Sequence, residues 1–167
     1  VWSPDGSRIV FTSNRDGFIG LYQKRTSGVS SEELLLKPDD TLAGIVSDWS
    51  PDDRFLLYFT FGADTGNDLW ALPLRGGGKP FAVVRTESEE RDGQFSPDGK
   101  WIAYASNSSG RFEIYMRPFP GPGAAIQVSA GGGAQVRWRH DGRALFYVGL
   151  DRRLMEVPIQ VSADGKP

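Results

Sequence analysis

Short segments in which apolar and polar residues alternate run along the chain, with turn residues between them. Pairs of apolar side chains two residues apart recur at Ile9 and Phe11, Leu56 and Tyr58, Ile102 and Tyr104, and Leu145 and Tyr147. A period of two is that of a β-strand with a buried face. Each pair therefore predicts a strand, and the first residue of each pair is predicted to be buried.

Further strands are expected after each of these pairs. A third strand is predicted at Leu21-Tyr22, Leu69-Trp70, Ile114-Tyr115 and Leu154-Met155, and a fourth at 34–36, 81–84 and 126–128. Together with a strand before each pair, these segments make units of four antiparallel strands. The fold class is therefore all-β, and no helix longer than about three turns is expected.

A turn motif precedes each apolar pair. Its copies are Trp2-Ser3-Pro4-Asp5-Gly6, Trp49-Ser50-Pro51-Asp52-Asp53, Phe95-Ser96-Pro97-Asp98-Gly99 and the degenerate Trp138-Arg139-His140-Asp141-Gly142. Pro fixes φ at the first corner of a turn, Asp bonds to its own backbone and Gly accepts a positive φ. The motif therefore joins two antiparallel strands, and Asp53 can replace Gly because Asp tolerates that conformation better than most residues.

The spacing of the motif predicts the architecture. Equivalent residues Ser3, Ser50, Ser96 and Arg139 are 47, 46 and 43 residues apart, close to the roughly 40 to 50 residues of a four-stranded propeller blade. We therefore predict a β-propeller of about four blades, at approximately 1–48, 49–94, 95–137 and 138–167, the first and last incomplete. The aromatic residue before each turn is predicted to pack in the core between blades rather than to form a ligand cage.

These motifs resemble the WD40-like repeats of the periplasmic translocation protein TolB and its relatives, over nearly the whole chain. The third and fourth repeats are most similar to the carboxy-terminal propellers of bacterial receptor-type serine/threonine protein kinases, at 104–107, 110–115, 117–123, 131–133 and 138–147. The resemblance implies a non-catalytic sensor or interaction module outside the cytoplasm, with a kinase domain in cis. Because members of this superfamily commonly have six or more blades, we expect further blades in cis to complete the ring.

Composition and charge narrow the classes of partner. The chain has 21 glycines and 11 prolines, which suits a fold with many turns. Its net charge of -2 offers no broad basic field for nucleic acid. No stretch approaches the roughly 20 apolar residues of a membrane-spanning helix, so we expect neither nucleic-acid nor membrane contact. The absence of cysteine excludes disulfides and thiolate metal sites.

The sequence contains no recognisable catalytic motif. His140 is the only histidine, and it replaces Pro in the degenerate turn, where it is expected to be solvated. There is no second histidine for a metal pair, no Gly-x-Ser-x-Gly elbow of a serine hydrolase and no kinase motif. The glycine runs 76–78 and 131–133 lead into strands rather than helices, so they are strand connections and not phosphate sites. We expect no enzyme activity, cofactor or metal ion.

One face of the predicted ring gathers the candidate binding residues. The loops entering the first strand of each blade share this channel face with the loops between the second and third strands. We expect an unidentified protein, peptide or glycan to bind there, and the candidate residues are Asn14, Arg15, Asp16, Asp48, Asp64, Asn67, Asp92, Asn107, Arg111, Asp151 and Arg152. For any one of them, exposure in a polar turn is the stronger explanation.

Acidic residues cluster at the same predicted face. The run comprises Glu87, Glu89, Glu90 and Asp92, with Asp39, Asp40 and Asp48 one blade earlier. Calcium takes about six to eight oxygen ligands, and no Asp-x-Asp-x-Asp-Gly spacing is present, which favours a solvated rim over an ion site.

Three functions remain open at this point: the sensor propeller of a kinase, the substrate-gating propeller of a serine peptidase that resembles the prolyl oligopeptidases, and a TolB-like scaffold in the cell envelope. The fold does not choose among them, because function resides in sites added to a fold.

Overall fold

The computed structural model describes residues 1–28, 31–37, 44–62 and 66–160. These ranges contain fourteen β-strands and no helix, and hence none that could cross a membrane. The prediction of an all-β chain is confirmed.

The strands form four antiparallel sheets, which we call blades 1 to 4. Blade 1 contains β1 (Arg8–Ser13), β2 (Gly20–Arg25) and β3 (Glu33–Leu36), and blade 2 contains β4 (Gly44–Trp49), β5 (Phe55–Gly62), β6 (Gly66–Pro73) and β7 (Phe81–Val84). Blade 3 contains β8 (Glu90–Phe95), β9 (Trp101–Ser106), β10 (Glu113–Pro118) and β11 (Ile126–Gln127), and blade 4 contains β12 (Ala134–Trp138), β13 (Ala144–Val148) and β14 (Leu154–Pro158). Strand order within every sheet follows the chain, as in a propeller blade.

The strand before each turn belongs to the same sheet as the strand after it. Trp49 at the end of β4 pairs with Leu56 of β5, and Phe95 pairs with Ile102 in the same way. Blades 2 to 4 therefore begin at Gly44, Glu90 and Ala134. These starts lie four or five residues before the blade boundaries predicted from the sequence, which place the first residues of these blades at 49, 95 and 138. In blade 1 the corresponding pairing is a single antiparallel bridge between Trp2 and Ile9.

Side chains of the turn motif hold the turn closed. Ser96 Oγ donates a hydrogen bond to Asp98 Oδ1 (2.6 Å) and accepts one from the Trp101 amide (2.9 Å). The same two bonds recur around Ser3 and Ser50. Asp53 adopts a φ of 58° at the position that Gly occupies in the other copies. The motif is thus a self-bonded hairpin turn, as predicted.

The core consists of three seams between adjacent blades. Leu56, Ile102 and Leu145 are fully buried, and each packs in the seam with the preceding blade, which confirms three of the four predicted core positions. The prediction is wrong for Ile9, which is only half-buried. Ile9 occupies the position in blade 1 that Leu56 occupies in blade 2, but the described chain contains no blade before blade 1 to cover it. The neighbouring residue Val10 faces the other way and packs into the seam with blade 2.

The aromatic residues before the turns show the same dependence on a neighbouring blade. Trp49 and Phe95 are buried, whereas Trp138 is half-buried and donates from Nε1 to Gln94 O of blade 3 (3.2 Å). The prediction that all four are core is wrong for Trp2, which is 66% exposed. At the opposite end of the stack, Leu154 on β14 is 72% exposed. The described chain is therefore an open, partial propeller with an uncovered flank at each end.

Candidate functional site

The innermost strands of successive blades lie side by side around the channel. β4 contacts β8, and β8 contacts β12, while the later strands of each sheet lie progressively further out. In blade 1 the segment equivalent to β4 is the one that contains Trp2, and β1, which follows the turn as β5 does in blade 2, also contacts β4. Since consecutive strands run antiparallel, the β5–β6, β9–β10 and β13–β14 hairpins share one end of the stack with the amino ends of β4, β8 and β12. We call this end the channel face.

Each of the three innermost strands carries a β-bulge. The pairing register shifts between Val46 and Asp48 in β4, between Arg91 and Gln94 in β8, and between Ala134 and Arg137 in β12. Asp92 and Gln135 consequently adopt a φ of 56°. Bulges re-aim side chains and are common next to functional sites. Here they direct two polar residues toward the rim of the channel.

A pocket of about 380 Å³ lies at this rim, between blades 2, 3 and 4. Its apolar wall comes from Ile45 of β4 and from Phe59 and Phe61 of β5. Ile45 is 40% exposed and Phe61 is 42% exposed, whereas Phe59 is buried and packs edge-on against Phe61 with ring centroids 5.8 Å apart. The pocket therefore presents two large apolar side chains to solvent at the inner edge of the ring.

The polar wall of the pocket comes from four residues. They are Asn67, Arg91, Asp92 and Gln135. Asn67 and Asp92 are among the residues predicted from the sequence, and the structure brings them together. Arg91 and Gln135 were not predicted, because the bulges at these positions of β8 and β12 have no clear signature in the sequence. Ile45 and Phe61 were not predicted either, because nothing in the sequence distinguishes them from the other apolar residues of β4 and β5.

The β1–β2 hairpin uses its predicted residues in local contacts. Arg15 stacks its guanidinium over the rings of Phe11 (5.2 Å) and Tyr22 (4.9 Å) and forms an ion pair with Glu32 (2.7 Å). Asp16 accepts a hydrogen bond from the Tyr22 hydroxyl (2.7 Å). The third predicted residue of this hairpin, Asn14, accepts a backbone bond from Gly17. These contacts stabilise the hairpin.

Asn107 and Arg111 at the β9–β10 hairpin also act within the fold. Asn107 Oδ1 accepts from the Glu89 amide (2.9 Å), which ties the hairpin to the strand entry. Arg111 Nε donates to the buried carboxylate of Glu113 (2.9 Å). Burial alone would raise the pKa of Glu113, but hydrogen bonds from Ser129, Gly132 and Arg111 lower it below its ordinary value.

The structure places Asp48 in β4 rather than in a loop. Its Oδ2 accepts a hydrogen bond from the Phe95 amide of blade 3 (2.7 Å), so the carboxylate links two innermost strands. Burial raises the pKa of Asp48 to about 6, although bonds from the Phe95 and Trp49 amides and the charge of Arg137 act in the opposite direction. The expectation that Asp48 joins the acidic rim is therefore wrong.

Glu90 also departs from the predicted solvated rim. It is buried at the start of β8, where its Oε1 accepts hydrogen bonds from Thr86 (2.7 Å) and Ser106 (3.1 Å). Burial raises the pKa of Glu90 above its ordinary value, and the charge of Asp68 acts in the same direction. No group of three potential metal ligands occurs in the described ranges.

The remaining candidates lie apart from the pocket or outside the described residues. Asp151 accepts from the Arg153 amide (3.1 Å) in the exposed β13–β14 hairpin, where Arg152 has a φ of 64°. Asp64 lies outside the described residues, as do Asp39 and Asp40. His140 is exposed in its turn, as expected.

Solved structures share this architecture. A TolB-type protein of Agrobacterium tumefaciens superposes with a TM-score of 0.82 over 99% of the chain at 20% identity, and TolB of Acinetobacter baumannii with a TM-score of 0.72 over 88% at 22% identity. The fold is that of a TolB-type β-propeller. The chain spans 61% of the Agrobacterium protein and 36% of the Acinetobacter protein.

The TolB-type blades are also similar to those of a prolyl endopeptidase. That structure superposes with a TM-score of 0.64 over 98% of the chain, at 13% identity and over 28% of its own length. No protein-family model and no curated protein matches the sequence. Identities this low show the fold alone, so the site itself must indicate the function.

Proposed function

We propose that this chain is a non-catalytic propeller module that binds a protein or peptide at its channel face. The observation that carries the proposal is the pocket in which Ile45 and Phe61 are exposed beside Arg91. Large apolar side chains exposed together, next to polar groups, are typical of interaction sites. The likeness to TolB-type propellers is consistent with a binding or scaffold role.

The test is site-specific photo-crosslinking in cells that produce the natural protein. A benzophenone amino acid is placed at Phe61, and a matched control carries it at Lys100, which is exposed on the turn of blade 3 at the opposite face. We expect a discrete adduct at position 61 that is absent at position 100. No adduct at position 61, or the same adducts at both positions, would contradict the proposal.

We further propose that additional blades in cis complete the ring. Exposed Trp2 and Leu154 at the two flanks support this, because propeller blades are stabilised by burying such side chains against their neighbours. The length of the chain relative to the Agrobacterium protein also supports it, since the chain spans 61% of a protein with the same fold.

The attached domain is a separate proposal. The residues at 110–115 and 117–123, which resemble the propellers of receptor-type kinases, support a sensor region of a serine/threonine kinase. The likeness to a prolyl endopeptidase supports the alternative of a substrate-gating propeller. Sequencing the rest of the gene distinguishes them. Kinase motifs with a membrane helix would support the kinase sensor, and a Gly-x-Ser-x-Gly domain would support the gating propeller. A signal peptide without either of these domains would support a TolB-like scaffold.

A further inference from the structure

Arg91 differs from the arginines of the chain that form ion pairs. The residues that form ion pairs are Arg8, Arg15, Arg54, Arg75, Arg85, Arg111, Arg139 and Arg153. Arg91 forms none with the described residues. Its guanidinium carbon lies 3.8 Å from the centroid of the Phe112 ring, and its buried Nε has no hydrogen-bond partner among the described residues. The guanidinium therefore packs on an aromatic ring while this N–H receives no acceptor from the described part of the chain.

This arrangement favours a ligand that brings an acceptor. A buried N–H without a partner is disfavoured relative to one that is hydrogen-bonded, and the imbalance is larger when the donor is charged. Carboxylates match the planar fork of a guanidinium and form its strongest hydrogen bonds. Stacking on Phe112 fixes the plane of the fork in advance, so little further ordering is needed when a carboxylate binds.

The neighbouring residues narrow the class of anion. Asp92 lines the same pocket, and its negative charge would repel a multiply charged group such as a phosphate more strongly than a single carboxylate. Ile45 and Phe61 present apolar surface beside Arg91, and the amides of Asn67 and Gln135 can bond to a peptide backbone. A peptide with an acidic residue beside a large apolar residue satisfies all of these groups.

We propose that the pocket binds an acidic side chain of a partner peptide, with Arg91 receiving the carboxylate while Ile45 and Phe61 receive the adjacent apolar side chain. This inference rests on the proposed function, because it specifies the chemistry of the partner at the same channel face.

The test uses three short peptides on the intact natural protein. Acetyl-Leu-Glu-amide carries both required groups, acetyl-Leu-Gln-amide is its uncharged isostere, and acetyl-Ala-Glu-amide lacks the large apolar side chain. Dissociation constants are measured by saturation-transfer NMR, which suits weak ligands of a large protein. We expect the Leu-Glu peptide to bind about tenfold more tightly than the Leu-Gln peptide, as is typical of a charge-assisted hydrogen bond.

Two variants locate the effect. Arg91→Gln is expected to abolish the preference for Glu over Gln, whereas Arg54→Gln, which changes an exposed arginine on the opposite face, is expected to retain it. Equal binding of the two Leu peptides to the unmodified protein would overturn the inference, and so would an unchanged preference in a folded Arg91→Gln protein. The peptide comparison needs no variant, so a variant that fails to fold does not weaken it.

The outcome is separable from that of the proposed function. Crosslinked partners at Phe61 together with equal binding of the two Leu peptides would overturn the carboxylate inference alone. A preference for Glu without any crosslinked partner would contradict the proposed function and leave the chemistry of the pocket standing.

Discussion

We predict that the carboxylate of Asp48 contributes to the pH dependence of stability, and that Asp48→Asn removes this contribution. The side chain is half-buried at the junction of blades 2 and 3, and its Oδ2 accepts the 2.7 Å bond from the Phe95 amide. Asparagine keeps an oxygen for this bond and cannot ionise. The substitution therefore separates the charge of Asp48 from its hydrogen bond.

The direction and size follow from the raised pKa. Burial raises the pKa of Asp48 to about 6, against about 3.9 for an unfolded aspartate. Because the folded chain holds the Asp48 proton more tightly than the unfolded chain does, protonation of Asp48 stabilises the fold. This stabilisation is complete below the pKa of Asp48 in the unfolded chain and is lost as pH rises through its pKa in the folded chain. A difference of about two pKa units corresponds to about 3 kcal/mol of unfolding free energy. Partial exposure of the carboxylate to solvent screens the charge and reduces this to about 1 to 2 kcal/mol.

The assay is urea unfolding of the natural chain and its variants at pH 5 and pH 7.5. We expect Asp48→Asn to gain about 0.5 to 1 kcal/mol relative to the natural chain on going from pH 5 to pH 7.5, because an unfolded aspartate is already mostly ionised at pH 5 and about half of the loss lies below that pH. Asp48→Ala also removes the charge but leaves the Phe95 amide without an acceptor, so it should be less stable than Asp48→Asn at both pH values. A stability difference between the natural chain and Asp48→Asn that is the same at both pH values would refute the reasoning.

Two further predictions concern the seams and the buried acid. Leu56→Ala should cost about 2 to 5 kcal/mol of unfolding free energy because Leu56 is fully buried in the seam between blades 1 and 2. Ile9→Ala, at the equivalent position of blade 1, should cost markedly less, and equal losses in urea unfolding would contradict the assignment of the flank. Ser129→Ala should cost about 1 to 3 kcal/mol, because it removes a donor from buried Glu113. Exposed Ser109→Ala is its matched control, and indistinguishable melting curves for the two variants would count against the bonded role of Glu113.

The repeat made the fold predictable from the sequence. A turn motif that fixes its own geometry, followed by apolar residues at a period of two, constrains the strands before any long-range contact is considered. The two errors in the predicted core, Ile9 and Trp2, have one cause. The sequence motif marks the position within a blade, whereas burial at that position also requires a preceding blade.

The candidate site was only partly predictable. The position of a residue within a blade indicates which end of the ring its loop occupies, and the structure has two of the candidate residues, Asn67 and Asp92, in the wall of one pocket. Which side chain enters the pocket depends on the bulges in β4, β8 and β12, and these shift the register by a residue without a distinctive sequence. For this reason the sequence does not distinguish Arg91 from an ordinary strand residue. Phe61 is on β5, which pairs with β6 in an unbroken register, and its sequence gives no sign of the pocket. Asp48 and Glu90 were predicted to be rim residues, but both carboxylates accept hydrogen bonds within the fold, where Asp48 is half-buried and Glu90 is fully buried.

The open-ring architecture is tested most directly by the solvent accessibility of its tryptophans. The chain is labelled with 5-fluorotryptophan, each ¹⁹F signal is assigned by a single Trp→Phe substitution, and relaxation enhancement by a soluble gadolinium chelate is measured. Trp2 is 66% exposed, whereas Trp49 and Trp101 are 5% exposed each, so Trp2 should be enhanced far more strongly than the other two. In a longer natural protein that supplies a preceding blade, the enhancement of Trp2 should fall toward that of Trp49. Equal enhancement of Trp2 and Trp49 in the 167-residue chain would contradict the open ring.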